Sequence, residues 1–441
     1  MSIPLDNLYN WVEGLLPSPA VLYLFLPHGS KNISDLTWAR YYVADQTKLY
    51  LMPAVICHDQ EPLYFDDYQN ISYQCNNWAD DKSTSYNKDI ASALQKKNAI
   101  LKDLYKNLSY VPRSHDHYIF DKIIILHSEK NSIDVAKFAA DQFIPVYYWS
   151  HAIIALDWYR FAKYDTRLQS SEIKNKFLIY CRDWTGHREY RLKFIELLQD
   201  QDLVQHSAIS FMHTSNNTHY SEHVFANKDF EPLHPETLVK IDNNYYSSNS
   251  SGGYEPADFN HSAVSVVLET EFDNQKIHLT EKILRPIACS HPFVLAAGPG
   301  SLEYLRSYGF ETFSPWIDES YDTETDSLTR LNKIIKAMKK ISELPADEFD
   351  NFCVETKRIA QRNQEHFYSN RFFNQVQEEL KNNMSLAFDE VIKTRGTEFL
   401  KVQRRLKAEQ ELQILFQHPG VIDRSKEMAR VIRRYRQSST F

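Results

Sequence analysis

The sequence predicts an α/β fold in two halves that face a cleft, followed by C-terminal helices and a basic helical tail. Three observations carry this. Short apolar runs of strand length alternate with longer stretches of helical periodicity, an order that favours parallel strands with helices laid across them. The pattern pauses at a charged loop after Asp165 and restarts with Lys176 to Tyr180 (KFLIY), which sets the halves at residues 1–165 and 166–370 and leaves 371–441 for a crossing helix and the tail. Finally, Ser262 to Asp322 places a strand, a loop, a capped helix, a second strand and a Gly-Pro-Gly turn in the order of a ligand-binding sheet edge.

In chain order, Leu5 to Leu16 has helical spacing, and Val21 to Leu26 (VLYLFL) is an apolar strand held between Pro19 and Pro27. Met52 to Cys57 is a second strand, and its end delivers the polar cluster His58, Asp59, Gln60, Glu61, Pro62. Asn87 to Leu108 is polar but helix-forming, Lys122 to Leu126 (KIIIL) is a third strand, and a helix from Ile133 to Gln142 leads into a strand at Ile144 to Trp149. His151 to Tyr164 reads as an amphipathic helix.

In the second half, KFLIY is followed by an arginine-rich turn from Cys181 to Arg188, a helix through Arg191, Phe194 and Leu197, and a strand at Ala208 to Met212. Asn216 to His261 is polar and partly loop. The strand Ala263 to Leu268 then ends in Glu269, Thr270 and Glu271, carboxylates delivered at a strand tip. Thr280 stands where an N-cap belongs, because its hydroxyl can accept from a free first-turn N–H of a helix opening Glu281, Lys282. Pro286 keeps that helix short or kinked. A strand at Pro292 to Leu295, the turn Gly298-Pro299-Gly300 and a helix from Ser301 follow, then helices at Ser327 to Ile341, Pro345 to Glu365 and Arg371 to Ile392.

Composition narrows the class. At 441 residues, 43% hydrophobic and 24% charged, the chain has the balance of an ordinary soluble protein large enough for two cores. No run is long and apolar enough for a membrane span, and MSIPLDNLYNW lacks a signal pattern, so a cytoplasmic protein is expected. Five dispersed cysteines without CxxC spacing predict reduced, buried thiols rather than a disulfide framework or zinc site. The net charge of −8 is uneven. From Lys393 onward twelve Lys/Arg face five Asp/Glu, a tail of +7 on a body of −15.

The chemistry-bearing residues fall into three sets. A diphosphate needs fixed positive charge and aimed N–H donors, and Arg182, Arg188, Arg191 and Lys282 follow strand ends where they could supply it; surface ion pairing is the alternative for any one of them. A carboxylate near a strand tip or helix start can hold the two ribose hydroxyls, which singles out Glu281 and then Glu269, although Glu281 would equally complement a helix dipole. A general base must take a proton from an attacking hydroxyl, and Asp59, Glu61 and His58 lie beyond a strand of the first half; His151 and Asp157 are rivals on a helix. No convincing metal-ligand spacing occurs, Asp200-Gln201-Asp202 reads as a solvated turn, and no catalytic metal or cofactor is expected. Without GxxxxGK[ST] or GxGxxG, the chemistry left is that of a diphosphate sugar, bound as co-substrate.

Glu269 to Lys282 (ETEFDNQKIHLTEK) with PFVLAAGPGSLEYLRSYGFETF resembles the donor half of GT-B glycosyltransferases. The chain is most similar to phage and marine bacterial enzymes, which share HDQEPL (His58 to Leu63) and YYWSHAIIALDWYRFAKYD (Tyr147 to Asp165). The triplet Thr280-Glu281-Lys282 also matches the α-1,3-fucosyltransferases. That resemblance implies two Rossmann-like domains, a metal-independent transfer, Glu281 on the ribose, Lys282 and Arg191 on the phosphates, and Glu61 as base. Phage glycosyltransferases that modify 5-hydroxymethylcytosine offer DNA as an acceptor that would employ the basic tail. A glycan or lipid-linked sugar, or a non-catalytic nucleotide-sugar-binding scaffold, remain the alternatives.

Overall fold

The computed structural model describes residues 11–12, 14–15, 20–24, 38–42, 54–57, 123–133, 135–136, 143–168, 172–181, 183–212, 214–215, 218–234, 252–390 and 393. It is a mixed α/β structure whose sheets are mainly parallel, a Rossmann-like arrangement. The chain divides into two compact units. Unit 1 is Met1–Asn10, Ser128–Asp134 and Tyr148–Glu379; unit 2 is Trp11–His127, Val135–Tyr147 and Leu380–Phe441.

Unit 2 holds a five-stranded sheet of β1 (Ala20–Leu24), β2 (Trp38–Tyr42), β3 (Ala54–Cys57), β4 (Ile123–His127) and β5 (Phe143–Tyr147), in the order β2-β1-β3-β4-β5. Four of these strands were legible as apolar runs. The exception, β2, is an antiparallel partner of β1, with Ala20 opposite Tyr42 and Leu24 opposite Trp38. Its sequence WARYY carries an arginine at its centre and so does not present the continuous apolar run that marks a doubly covered strand. The expected helices at Leu5 to Leu16, Asn87 to Leu108 and Ile133 to Gln142 lie largely outside the described residues, and the basic tail beyond Lys393 lies wholly outside them.

Unit 1 holds a four-stranded parallel sheet in the order β11-β10-β6-β7, from β6 (Asn175–Cys181), β7 (Ser207–Phe211), β10 (Ser262–Leu268) and β11 (Phe293–Ala296). Every residue of β7, β10 and β11 is buried, which explains why they read as largely apolar runs, interrupted only by the buried Ser207 and Ser210 of β7 and Ser262 and Ser265 of β10. A hairpin of two-residue strands pairs β8 (Thr214–Ser215), just ahead of the polar stretch, with β9 (Thr218–His219) inside it; neither gave a strand signal. The helices of this unit are α1 (Ser150–Trp158), α2 (Tyr190–Asp200), α3 (Pro256–Asn260), α4 (Glu281–Ala288), α5 (Ser301–Ser307), α6 (Ser327–Ser342) and α7 (Ala346–Phe367). α4 packs on β10 and β11 together with α1 and α7, while α6 packs on α2 and β11. α1 is shorter and more buried than an amphipathic surface helix: Ser150, His151, Ala152, Ile154, Ala155 and Trp158 are all enclosed. A last helix, α8, covers 370–390, and its buried Phe372, Val376, Leu380, Met384 and Ala387 recur at helical spacing.

The strand order positions the site. From β6 the chain crosses to β7 on one side, then returns to β10 on the other, so the direction of winding reverses between β6 and β10. In open parallel sheets the crevice beyond the carboxyl ends of two such strands is where ligands sit. Cys181 and Cys289 are buried free thiols and Cys353 is half-buried, and burial pushes the Cys181 thiol up to about 12. Among the described residues no helix is long and apolar enough to cross a membrane.

Candidate functional site

Two loops leave the carboxyl ends at the winding switch. The loop from β10 to α4 is held almost entirely by buried polar contacts. Arg191 is 3% exposed, and its guanidinium donates to the carbonyls of Asp183, Leu268 (2.6 Å) and Glu269 (3.0 Å). Tyr190 donates its hydroxyl to Glu269 O at 2.6 Å and stacks on Phe272 with ring centroids 4.2 Å apart. Farther along, the buried Arg330 donates to Phe272 O, to Asn274 Oδ1 (3.1 Å) and to Glu324 O (2.7 Å), and its guanidinium lies 4.3 Å from the Phe272 ring centroid. Burial lowers the Arg330 pKa to about 10, which still leaves it charged at neutral pH. Lys130 and Ile277 form an antiparallel bridge, and Lys276 pairs with Glu129 at 3.4 Å inside the same unit. Gly298 passes so close that a Cβ there would meet Asp273 O at 2.6 Å and Lys276 O at 3.2 Å. The loop is therefore fixed from several sides, as a precise binding edge requires.

Where the loop reaches α4, the cap is as the sequence indicated. Thr280 has extended backbone and its Oγ1 accepts from Lys282 N at 3.3 Å. The same hydroxyl donates to Glu269 Oε2 at 2.7 Å, and Thr280 N donates to Glu269 Oε1 at 3.0 Å. Glu269 is 0% exposed, so this carboxylate ties the strand tip to the helix start. Pro286 lies inside the eight-residue α4, which is short as anticipated.

Glu281 and Lys282, adjacent in sequence, are directed differently. The Glu281 carboxylate meets His151 Nδ1 at 3.4 Å and Lys282 Nζ at 3.2 Å. Burial alone would raise this carboxyl, but Lys282, His151 and Arg285 outweigh burial and hold it well below the usual carboxylate range. Lys282 Nζ is gathered by Thr280 Oγ1 (3.1 Å) and Thr270 Oγ1 (3.3 Å), and its side chain remains 30% exposed. His278 lies edge to face with His151, ring centroids 5.2 Å apart, and burial keeps it neutral, with its pKa well below the ordinary value.

The second loop, from β6 to α2, is an Asp-capped turn. Asp183 Oδ1 accepts from Thr185 N (3.1 Å) and Oγ1 (2.9 Å), and Oδ2 from Arg188 Nη1 (3.1 Å). Gly186 adopts a left-handed conformation, φ +61°, which an L side chain would strain. His187 stands beside it, and its Nδ1 lies 3.2 Å from Glu271 Oε2 across the crevice.

Thr280, Glu281, Lys282, Glu269, Arg188 and Arg191 thus gather in one region of unit 1, whereas His58, Asp59, Glu61 and Arg182 lie outside the described residues. Two of the gathered residues have a different employment from the one expected. Arg191 serves backbone carbonyls rather than an open anion site, and Glu269 serves Thr280 rather than open solvent. The amino end of α5 differs similarly, because Asp322 accepts from Leu302 N (2.9 Å) and Glu303 N (3.2 Å) and caps it internally. Conversely, His151 and Glu271 stand closer to the centre of the site than sequence reading put them. Asp200 and Asp202 are exposed at the end of α2, as a solvated turn. A pocket of about 350 Å³ lined by Phe259, Ala263, Pro292, Cys353 and Lys357 lies at the amino ends of β10 and β11, the wrong end of the sheet for this site. No protein-family model matches the sequence, and comparison with curated proteins finds no significant match.

Proposed function

We propose that the chain is a glycosyltransferase of the GT-B type, transferring a sugar from a nucleotide-sugar donor held by unit 1 to an acceptor hydroxyl. The observation that carries this reading is the capped start of α4 at the winding switch, with Lys282 partly exposed above it and Glu281 ionised beside it. In the reaction the acceptor oxygen bonds to the anomeric carbon as the bond to the diphosphate breaks. The electron pair stays on the diphosphate, where Lys282 and Arg188 stabilise the developing charge. Glu281 serves the ribose, with His151 fixing its orientation. The acceptor proton passes to a base assigned by resemblance to Glu61 of the His58–Pro62 cluster. The +7 tail favours a DNA hydroxymethyl group as acceptor over a glycan.

The test is a thermal-shift and calorimetric panel of UDP-, GDP-, CMP- and ADP-sugars on the full chain. One donor class should stabilise the wild type, and Lys282→Ala should weaken it by at least about tenfold, the cost of one charge-assisted contact. Absence of stabilisation by every donor would overturn the reading. Equal donor affinity and slow donor hydrolysis in wild type and Lys282→Ala would move the protein to the scaffold alternative. Transfer of label to hydroxymethylated DNA, lost on removing 393–441, would establish the acceptor.

A further inference from the structure

Unit 1 has a second concavity, at the end of its sheet opposite the donor crevice. It is a pocket of about 350 Å³, within the range of about 300–1,000 Å³ that small-molecule sites occupy. Leu168 and Ile173 from the segment before β6, Phe259 of α3, Ala263 of β10, Pro292 ahead of β11 and Val354 of α7 give it apolar walls. We infer that this pocket binds a small organic anion, a single carboxylate on an apolar body, with Lys357 of α7 meeting the charge. The inference is independent of the nucleotide-sugar reading, since none of the residues assigned to the donor lines this pocket.

The charge balance of the lining selects an anion. Among the described residues that line the pocket none is acidic, and two, Lys357 and Arg358, are cations. Arg358 is already employed: its guanidinium donates to the Glu355 carboxylate, and its side chain is 61% exposed. His291 adds no charge near neutral pH, because burial lowers its pKa to about 4 while its ring nitrogens meet Ser265 Oγ and Ser262 O, each at 2.8 Å. Lys357 is different. It is half-buried, no carboxylate pairs with it among the described residues, and its Nζ donates to Ser290 O at 2.6 Å. An ammonium carries three N–H donors, so two remain for a further partner. The cost of withdrawing this cation from water shows in its pKa, which burial lowers from the ordinary lysine value. One unmatched positive charge beside apolar walls is complemented by one negative charge on an apolar body.

A second polar group points the same way. Ser262, the first residue of β10, lines the pocket at 2% exposure, and its hydroxyl has no hydrogen-bond partner among the described residues. A buried hydroxyl without a partner is costly, and a carboxylate oxygen is an acceptor that relieves it once the side chain turns toward the pocket. The surrounding frame is set before a ligand arrives. His291 bridges Ser262 and Ser265 of β10, while Lys357 and Gln364 of α7 hold the carbonyls of Ser290 and Ala288 (2.7 Å) at the end of α4. Cys353 supplies a reporter at the site, as a half-buried free thiol on the pocket wall. Burial raises this thiol to about 11, so its alkylation is slow enough to follow.

The experiment offers the full chain hexanoate, octanoate and 3-phenylpropionate, each beside its neutral amide, with inorganic phosphate as a charge lacking an apolar body. Binding is read by calorimetry and by protection of Cys353 from N-ethylmaleimide, located by mass spectrometry. At least one carboxylate should bind once per chain and slow Cys353 alkylation, and its amide should bind at least about tenfold more weakly, the loss of one charge-assisted contact. Lys357→Met should weaken the carboxylate by a similar factor. Because Lys357 also holds Ser290 O, Val354→Trp provides a second variant: its position is 51% exposed, and the larger ring fills the mouth with the lysine in place, which should abolish protection. Urea denaturation checks that both variants fold. Failure of all three carboxylates to bind, equal affinity for a carboxylate and its amide, or undiminished binding in either folded variant overturns the inference. Protection by phosphate equal to that by the carboxylates would mark a bare anion site and overturn it as well.

Discussion

Thr280 is the residue where the strand tip, the helix start and the exposed lysine meet, so Thr280→Val is the sharpest perturbation of the site. Valine keeps the shape and removes the hydroxyl. Three contacts go: the cap on Lys282 N (3.3 Å), the donation to Glu269 Oε2 (2.7 Å) and the rest for Lys282 Nζ (3.1 Å). Losing an N-cap costs about 1 kcal/mol. Depriving a buried carboxylate of one charge-assisted donor costs about 1.5–3 kcal/mol, and Glu269 keeps only its bond from Thr280 N on that side. The expected loss is therefore roughly 2.5–4 kcal/mol, with no separate figure for the partly exposed lysine contact. Thr280→Ser keeps the oxygen and should lose less than about 1 kcal/mol. Urea denaturation followed by circular dichroism gives the difference, and hydrogen exchange of the α4 amides tells whether the loss is local to the cap. If Thr280→Val and Thr280→Ser agree within about 0.5 kcal/mol, the hydroxyl does not tie β10 to α4, and the geometry assigned to Lys282 loses its support.

Other expectations follow from the same contacts. Gly298→Ala places a methyl 2.6 Å from Asp273 O, so the β10–α4 loop must shift; stability should fall by about 1–3 kcal/mol in urea denaturation. His291 is buried, its Nδ1 2.8 Å from Ser265 Oγ and its Nε2 2.8 Å from Ser262 O, with burial lowering its pKa to about 4. Because the folded value lies below the unfolded one, the unfolded chain binds the extra proton as pH falls below about 6.5, and stability should drop by about 1.4 kcal/mol per pH unit down to about pH 4. The lowered His278 adds to this slope, and His291→Gln should remove only the His291 share, measured as denaturation midpoints at pH 7 and pH 5.

What the sequence disclosed is what depends on neighbours in the chain. β10, β11 and β7 were visible because burial on both faces leaves a largely apolar run of strand length, interrupted only by serines in β7 and β10, and Thr280 was visible because a cap and its helix are contiguous. β2 was hidden because an antiparallel strand with Arg40 in its middle has no such run. Arg191 illustrates a deeper limit. Its position after a strand predicts a cation near an anion site, yet position alone cannot distinguish a phosphate from a backbone carbonyl as the group it serves. Only the 3% exposure and the bonds to Leu268 O and Glu269 O decide that. His187 and Glu271 were invisible as a pair because loops leaving two different strands, not a spacing, bring them together.

The two glutamates at the site show how one edge can supply two kinds of carboxylate. Glu269 and Glu281 both lie within hydrogen-bond reach of the Thr280–Lys282 turn, and both are nearly enclosed. Glu269 accepts twice from Thr280, so its bonds fix the turn from within the fold. Glu281 instead meets His151 and Lys282, and these two with Arg285 keep it ionised against its own burial. A carboxylate held charged by side chains at a sheet edge can exchange one such contact for a ligand hydroxyl, whereas one spent on the backbone and cap of its own helix cannot do so without releasing that helix. The division makes Glu281 the residue to test for ligand contact and Glu269 the residue to test for stability, and it gives opposite expectations for conservative changes. Glu281→Gln should leave the unfolding midpoint nearly unchanged relative to Glu269→Gln while reducing donor affinity, because an amide at 269 would have to accept twice from Thr280 through a single oxygen. Equal stability losses from the two variants would show that both carboxylates are structural and that the donor is held elsewhere.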